Sequence, residues 1–171
     1  MPETSYLKAL AAAILFSVMV PGCDSTWQGP KSPDEIPDTP AELRFDGIEV
    51  TASSDTASWL APGNPRLVIT AGTEVSCEER VGQLGAGEIR LSVGVPDDAR
   101  SGDVFELPSD APTGEGPRVS ISIEGNVSFR FDRGMIVIDE RTDEHLSIRL
   151  DVSSPDGKKY ARGAVSAPFC P

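Results

Sequence analysis

Residues 145–152 read HLSIRLDV, with Leu146, Ile148, Leu150 and Val152 at every second position and Ser147, Arg149 and Asp151 between them. A period of two puts the four aliphatic side chains on one face of an extended strand and the polar ones on the other, the pattern of an antiparallel sheet packed on one side. The alternation recurs at Val119, Ile121 and Ile123 and at Ile89, Leu91, Val93 and Val95. Phe129 and Phe131 continue it beyond Glu124-Gly125-Asn126. Leu67 with Ile69, Phe45 with Ile48 and Val50, and Val104 to Leu107 add further strands.

Turn chemistry sits where hairpins need it. Ser154-Pro155-Asp156-Gly157 separates Leu146–Val152 from Tyr160–Pro168, and Arg141-Thr142-Asp143-Glu144 separates Met135–Ile138 from Leu146–Val152, so the C-terminal half reads as a meander. Sixteen Gly and fifteen Pro interrupt nearly every span long enough for a helix, and no window shows helical periodicity. The expected fold is all-β, an antiparallel β-sandwich of about eight strands without internal repeat. A small closed β-barrel is the alternative, since both architectures deal with the unpaired edges of an open sheet. Trp27 and Trp59 both precede Cys77, and Cys170 is penultimate, so an immunoglobulin-type Cys…Trp…Cys core is not indicated. In GMIVIDE, residues 134–140, Met135 to Ile138 are apolar on both faces. Cover on both sides is the expectation, the other reading being a patch offered to a partner.

The chain has 171 residues, enough for one domain with appendages. Its formal net charge is −12, and losing residues 1–22 would remove Glu3 and Lys8 together and leave that value unchanged. Carboxylates outnumbering Lys and Arg argue against nucleic acid as a partner and against electrostatic adhesion to anionic lipid.

Ala9 to Val20 form an apolar run of a dozen residues, short of the roughly 20 a spanning helix needs. It reads as the core of an export signal. The sequence that follows, Val20-Pro21-Gly22-Cys23, resembles the lipobox of bacterial prolipoproteins: an aliphatic residue, a small residue, Gly or Ala, then the cysteine that is acylated. Pro21 stands where that family usually has Ala or Ser. The resemblance implies a signal peptide over 1–22, lipid (palmitate) attached at Cys23, and a membrane partner through that lipid in the bacterial cell envelope. Asp24 is similar to the inner-membrane retention signal of some enteric lipoproteins, and both inner and outer membranes stay open.

Three cysteines leave an odd one in an exported protein unless other chemistry uses it. Lipidation of Cys23 leaves Cys77 and Cys170 as the pair for a disulfide closing a loop of about 94 residues, worth about 4 to 5 kcal/mol at most. The ending from Gly163 to Cys170 also resembles the close of small envelope lipoproteins of unknown function. Between anchor and domain, Asp24 to Pro40 holds four prolines and four acids with only Trp27 and Ile36 apolar. That composition predicts an unfolded linker over 23–42, able to hold a β-sandwich domain at 43–171 up to about 50 Å from the bilayer.

Chemistry is sparse. His145 is the sole histidine, no G-x-S-x-G surrounds any serine, and a solvated turn histidine is the reading. Gly82, Gly85 and Gly87 in GQLGAG precede a strand rather than opening a helix, so they form a connection and not a phosphate loop. Carboxylates gather at Asp97-Asp98 with Asp103, at Asp139-Glu140 with Asp143-Glu144, and at Asp151 with Asp156, without the spacing of a calcium loop. Trp59 reads as a cap on the sandwich before a sugar platform. Asn126-Val127-Ser128 is a glycosylation sequon by letter alone. The expectation is therefore a non-enzymatic envelope protein that meets another protein or an envelope polymer, with no catalytic, cofactor or metal residues. A carbohydrate- or calcium-binding module is the alternative, and an envelope hydrolase using His145 the third reading.

Overall fold

The computed structural model describes residues 29–52, 57–60, 66–72, 84–108 and 116–169, with backbone alone at 57–60, 66, 67 and 126. Cys23, Cys77 and Cys170, and with them the lipid site and the disulfide, lie outside the described residues, as do Trp27 and the side chain of Trp59.

Two antiparallel sheets pack face to face. The larger comprises β1 (Glu42–Phe45), β2 (Ile48–Thr51), β6 (Val104–Leu107), β9 (Gly134–Arg141), β10 (His145–Ser153) and β11 (Lys159–Pro168), in the order β2-β1-β11-β10-β9-β6. The smaller comprises β3 (Ala57–Leu60), β4 (Arg66–Gly72), β5 (Ile89–Pro96), β7 (Arg118–Ile123) and β8 (Val127–Phe131), in the order β3-β4-β5-β7-β8. Among the described residues each sheet ends in two strands with no further partner and neither sheet closes on itself, so the architecture is a sandwich and the barrel alternative is overturned.

Among the described residues there are eleven strands where about eight are expected, for two local reasons. Phe45 to Val50 is two strands, because Asp46 (φ 44°) and Gly47 (φ 95°) make a tight turn that pairs Phe45 with Ile48. Such a turn needs positive φ at both central residues, which Asp-Gly supplies. Ala57–Leu60 is four residues long and alternates too little to be recognised. Between β7 and β8 the chain makes a 3-10 turn at Glu124–Asn126 around Gly125 (φ 71°).

The alternating aliphatics form the core. Leu146, Ile148, Leu150 and Val152 are fully buried and meet Ile89, Leu91 and Val93 and Val119 and Ile121 of the other sheet's inner face in one apolar cluster with Leu43, Ile136 and Phe131. The turns at Asp46-Gly47, Ser154–Lys158 and Asp132-Arg133 gather at one end of the large sheet, which is fixed by the register Leu107↔Gly134, Val152↔Gly134 and Phe45↔Lys159. The turn at Thr142–Glu144 and the loop 97–101 lie at the other.

The linker expected over 23–42 is corrected for its described part: residues 29–38 lie on the outer face of the large sheet as a strap, Thr39–Ala41 pair beside Ala164 of β11 with Ala41 in the core, and β1 begins at Glu42. Pro33–Glu35 form one 3-10 turn, and Ile36, 2% exposed, buries against Met135 and Val137. Thr39 O accepts from Ala164 N at 2.7 Å, and Ala41 N donates to Ala164 O at 2.9 Å. This crossing requires Gly163 (φ 124°), because a Cβ there would stand 2.6 Å from Thr39 O. The doubly apolar GMIVIDE strand is thereby covered on both faces, its outer one by its own chain.

Candidate functional site

The outer face of β9, β10 and β11 carries the side chains that decide how the N-terminal chain is held. Arg149, a polar spacer in HLSIRLDV, points outward by the strand's period of two. Its Nε donates to both Asp139 carboxylate oxygens at 3.0 Å and its Nη2 to Oδ1 at 2.9 Å, while Nη1 donates to Pro33 O and Ile36 O, each at 3.1 Å. One guanidinium thus grips an adjacent strand and the strap together, a use of the planar fork that Lys cannot reproduce. The hydrogen bond that it donates to Asp139 is the largest reason the Arg149 pKa is raised above the usual arginine value.

Beside it, Asp151 is 1% exposed and accepts from Arg162 Nε at 2.9 Å and Nη2 at 2.7 Å. These two line a polar recess of about 250 Å³ with Glu42, Ser153, Gly157 and Tyr160. Burial, then the nearby Glu49 charge, pushes the Tyr160 phenol above its usual pKa, and its hydroxyl reaches Glu49 at 3.3 Å.

At the end bearing the Thr142–Glu144 turn, loop 97–101 and the β9–β10 hairpin enclose an open cleft of about 560 Å³ lined by Asp97, Asp98, Arg100, Arg141 and Asp143 over Ala99. Its walls are tied to one another. Arg141 Nη1 donates to Ala99 O, Arg141 N to Ser101 Oγ at 2.8 Å, and Gly102 N to Ile138 O at 2.7 Å. Asp103 turns back to accept from Arg100 N at 2.7 Å. The cleft therefore presents mixed charge with an acidic excess, suited to a polar partner rather than an apolar ligand.

The predicted features fall out as follows. The structure brings Asp97-Asp98 together with Asp143 in this cleft, whereas Asp139, Asp151 and Asp156 are spent on Arg149, Arg162 and the Ser154–Lys158 turn. There the Ser154 hydroxyl donates to Asp156 at 2.6 Å and lowers its pKa. Among the described residues, no three His, Cys, Asp or Glu side chains converge closely enough to hold a metal ion. Gly85 and Gly87 form a turn leading into β5, with Glu88 accepting from Gly85 N at 2.5 Å. His145 opens β10 and its Nε2 stands 2.9 Å from Ser166 Oγ. Sequence reading passed over Arg149, Arg141 and Arg162, which organise these surfaces. The signal that could have found them is their placement on the polar side of strands whose other side is core.

Among the described residues no helix is long and apolar enough to cross a membrane. No protein-family model, curated protein or solved structure matches the chain.

Proposed function

We propose that the chain is a non-enzymatic, lipid-anchored protein of the bacterial cell envelope, acylated at Cys23 and closed by a Cys77–Cys170 disulfide. Its sandwich meets another protein or an envelope polymer through the cleft between residues 97–101 and 141–143. The observation that carries this reading is that cleft. It is open, mixed in charge and rigidly walled, and it lies at the end of the sandwich away from Gly29, the first described residue on the path back to the lipobox-like VPGC. Palmitate labelling of the wild type and of Cys23→Ala tests the anchor, with label expected only in the wild type. Photo-crosslinking in cells from position 98, followed by mass spectrometry, is expected to capture one recurrent protein or glycan. Capture indistinguishable from that at position 128, on the small sheet's outer strand β8, counts against the cleft.

An envelope hydrolase is favoured by one observation, the Ser166–His145 hydrogen bond. Among the described residues no carboxylate hydrogen-bonds His145 to orient it as a base, and neither residue lines the cleft, so the binding role is preferred. Ser166→Ala retaining full activity in the cell supports that preference. Loss of a measured envelope-polymer cleavage in the same variant reverses it.

A further inference from the structure

We infer that the strap fixes which end of the sandwich faces the bilayer: the end carrying the Asp46-Gly47, Asp132-Arg133 and Ser154–Lys158 turns rests against the lipid surface, and the cleft faces away. This rests on acylation of Cys23 as proposed above. The strap's first residues, Gly29, Pro30 and Lys31, lie in a recess with Glu106, Leu107, Arg133, Gly134 and Met135, at the turn-bearing end of β6 and β9. From there to residue 41 the chain is committed to the sheet by Ile36, by Arg149 and by the Ala164 pairing.

Only six peptide steps separate Cys23 from Gly29. Fully extended they span about 20 Å, against the 50 Å or so of a spacer running to Pro40. β10 and β11 pair over nine residues, a strand length of about 30 Å, so with its root fastened at the opposite end a tether this short does not let the sandwich stand with its cleft end on the headgroups.

Charge acts in the same sense. Beyond Lys8 the chain has three lysines, Lys31, Lys158 and Lys159, and all three stand at the tether end. There they balance Asp46, Asp132 and Asp156, with Lys159 Nζ 2.9 Å from Asp46. The cleft end sets Asp97, Asp98, Asp143 and Glu144 against Arg100 and Arg141, an acidic excess that an anionic headgroup layer repels within about a Debye length.

The test uses the full protein purified with its lipid and reconstituted in liposomes of phosphatidylethanolamine and phosphatidylglycerol that contain a headgroup-labelled acceptor lipid. A donor dye is placed at Pro155→Cys or at Asp98→Cys, each read against the parent chain treated identically. At least twofold more efficient energy transfer from position 155 is expected, and equal or reversed transfer overturns the inference. A second chain, with twelve Gly and Ser residues inserted between Gln28 and Gly29, leaves the folded body untouched and is expected to reduce the difference to the smaller share that charge supplies. A difference undiminished by the insertion also overturns it, since tether length would then play no part in the orientation. Intact mass of the same sample separates the two levels. Absence of an acyl group removes the anchor and the inference together, whereas an acylated protein without the difference removes the inference alone.

Discussion

Single residues hold more of this molecule than their chemistry alone suggests. Gly163 is the clearest case, because its positive φ and the backbone of Thr39 and Ala41 leave no room for a side chain: a Cβ would lie 2.8 Å from Ala41 Cα. Gly163→Ala is expected to cost about 1–3 kcal/mol, from the strained φ and the displaced strap, read as a lower urea midpoint at unchanged slope. A midpoint equal to wild type would falsify the close-packed crossing. Tyr160 gives a pH signature. Its pKa is raised in the folded protein, so the fold favours the neutral phenol. That stabilisation is complete below the unfolded value of about 10 and is lost as pH climbs through the higher folded value. Melting temperature should fall more steeply above pH 10 in wild type than in Tyr160→Phe, and parallel curves would remove Tyr160 as the cause.

At the scale of elements the strap is the informative piece. Ile36→Ala and Arg149→Ala each remove one of its three fastenings, and both are expected to increase tryptic cleavage after Lys31 several-fold while the melting of the sheets changes little. Arg149→Lys keeps the charge but not the fork and should fall between. Unchanged cleavage in all three would mean that the strap is held by the Ala164 pairing alone. The strap also marks where sequence reading stopped. A composition window over 24–40 sees prolines and acids and averages away Ile36, whose partners Met135 and Val137 lie about a hundred positions onward and so leave no local trace. The strands were legible where one face is core and the other solvent, as in β5, β7 and β10. β3 was too short to show a period, and the Asp46-Gly47 dipeptide, the strongest local hairpin cue available, was passed over between Phe45 and Ile48. Of the candidate site, the carboxylate groups were visible as letters. Which of them arginines engage was not, because cross-strand neighbours depend on register.

For the molecule as a whole, two sheets and one continuous core make a unit that should unfold cooperatively. A disulfide between Cys77 and Cys170 would act on the unfolded chain, so Cys170→Ala is expected to lower stability by up to about 5 kcal/mol, with the wild type 2 Da lighter than its reduced form by intact mass. Equal masses would remove the bridge. The free edges are less guarded than the faces: Val127 on β8 and Val104 on β6 are 56% and 43% exposed, and these positions are where self-association would begin if the fold were loosened.

Arg149 and Ile36 also impose a timetable. The carbonyls that Arg149 grasps lie 113 and 116 positions before it, so a chain made N-terminus first has its strap long before anything exists for it to lie on. Loop closure over such a span comes late. During that interval residues 29–41 have no sheet to lie on, and only when β9, β10 and β11 have formed can the strap take its place.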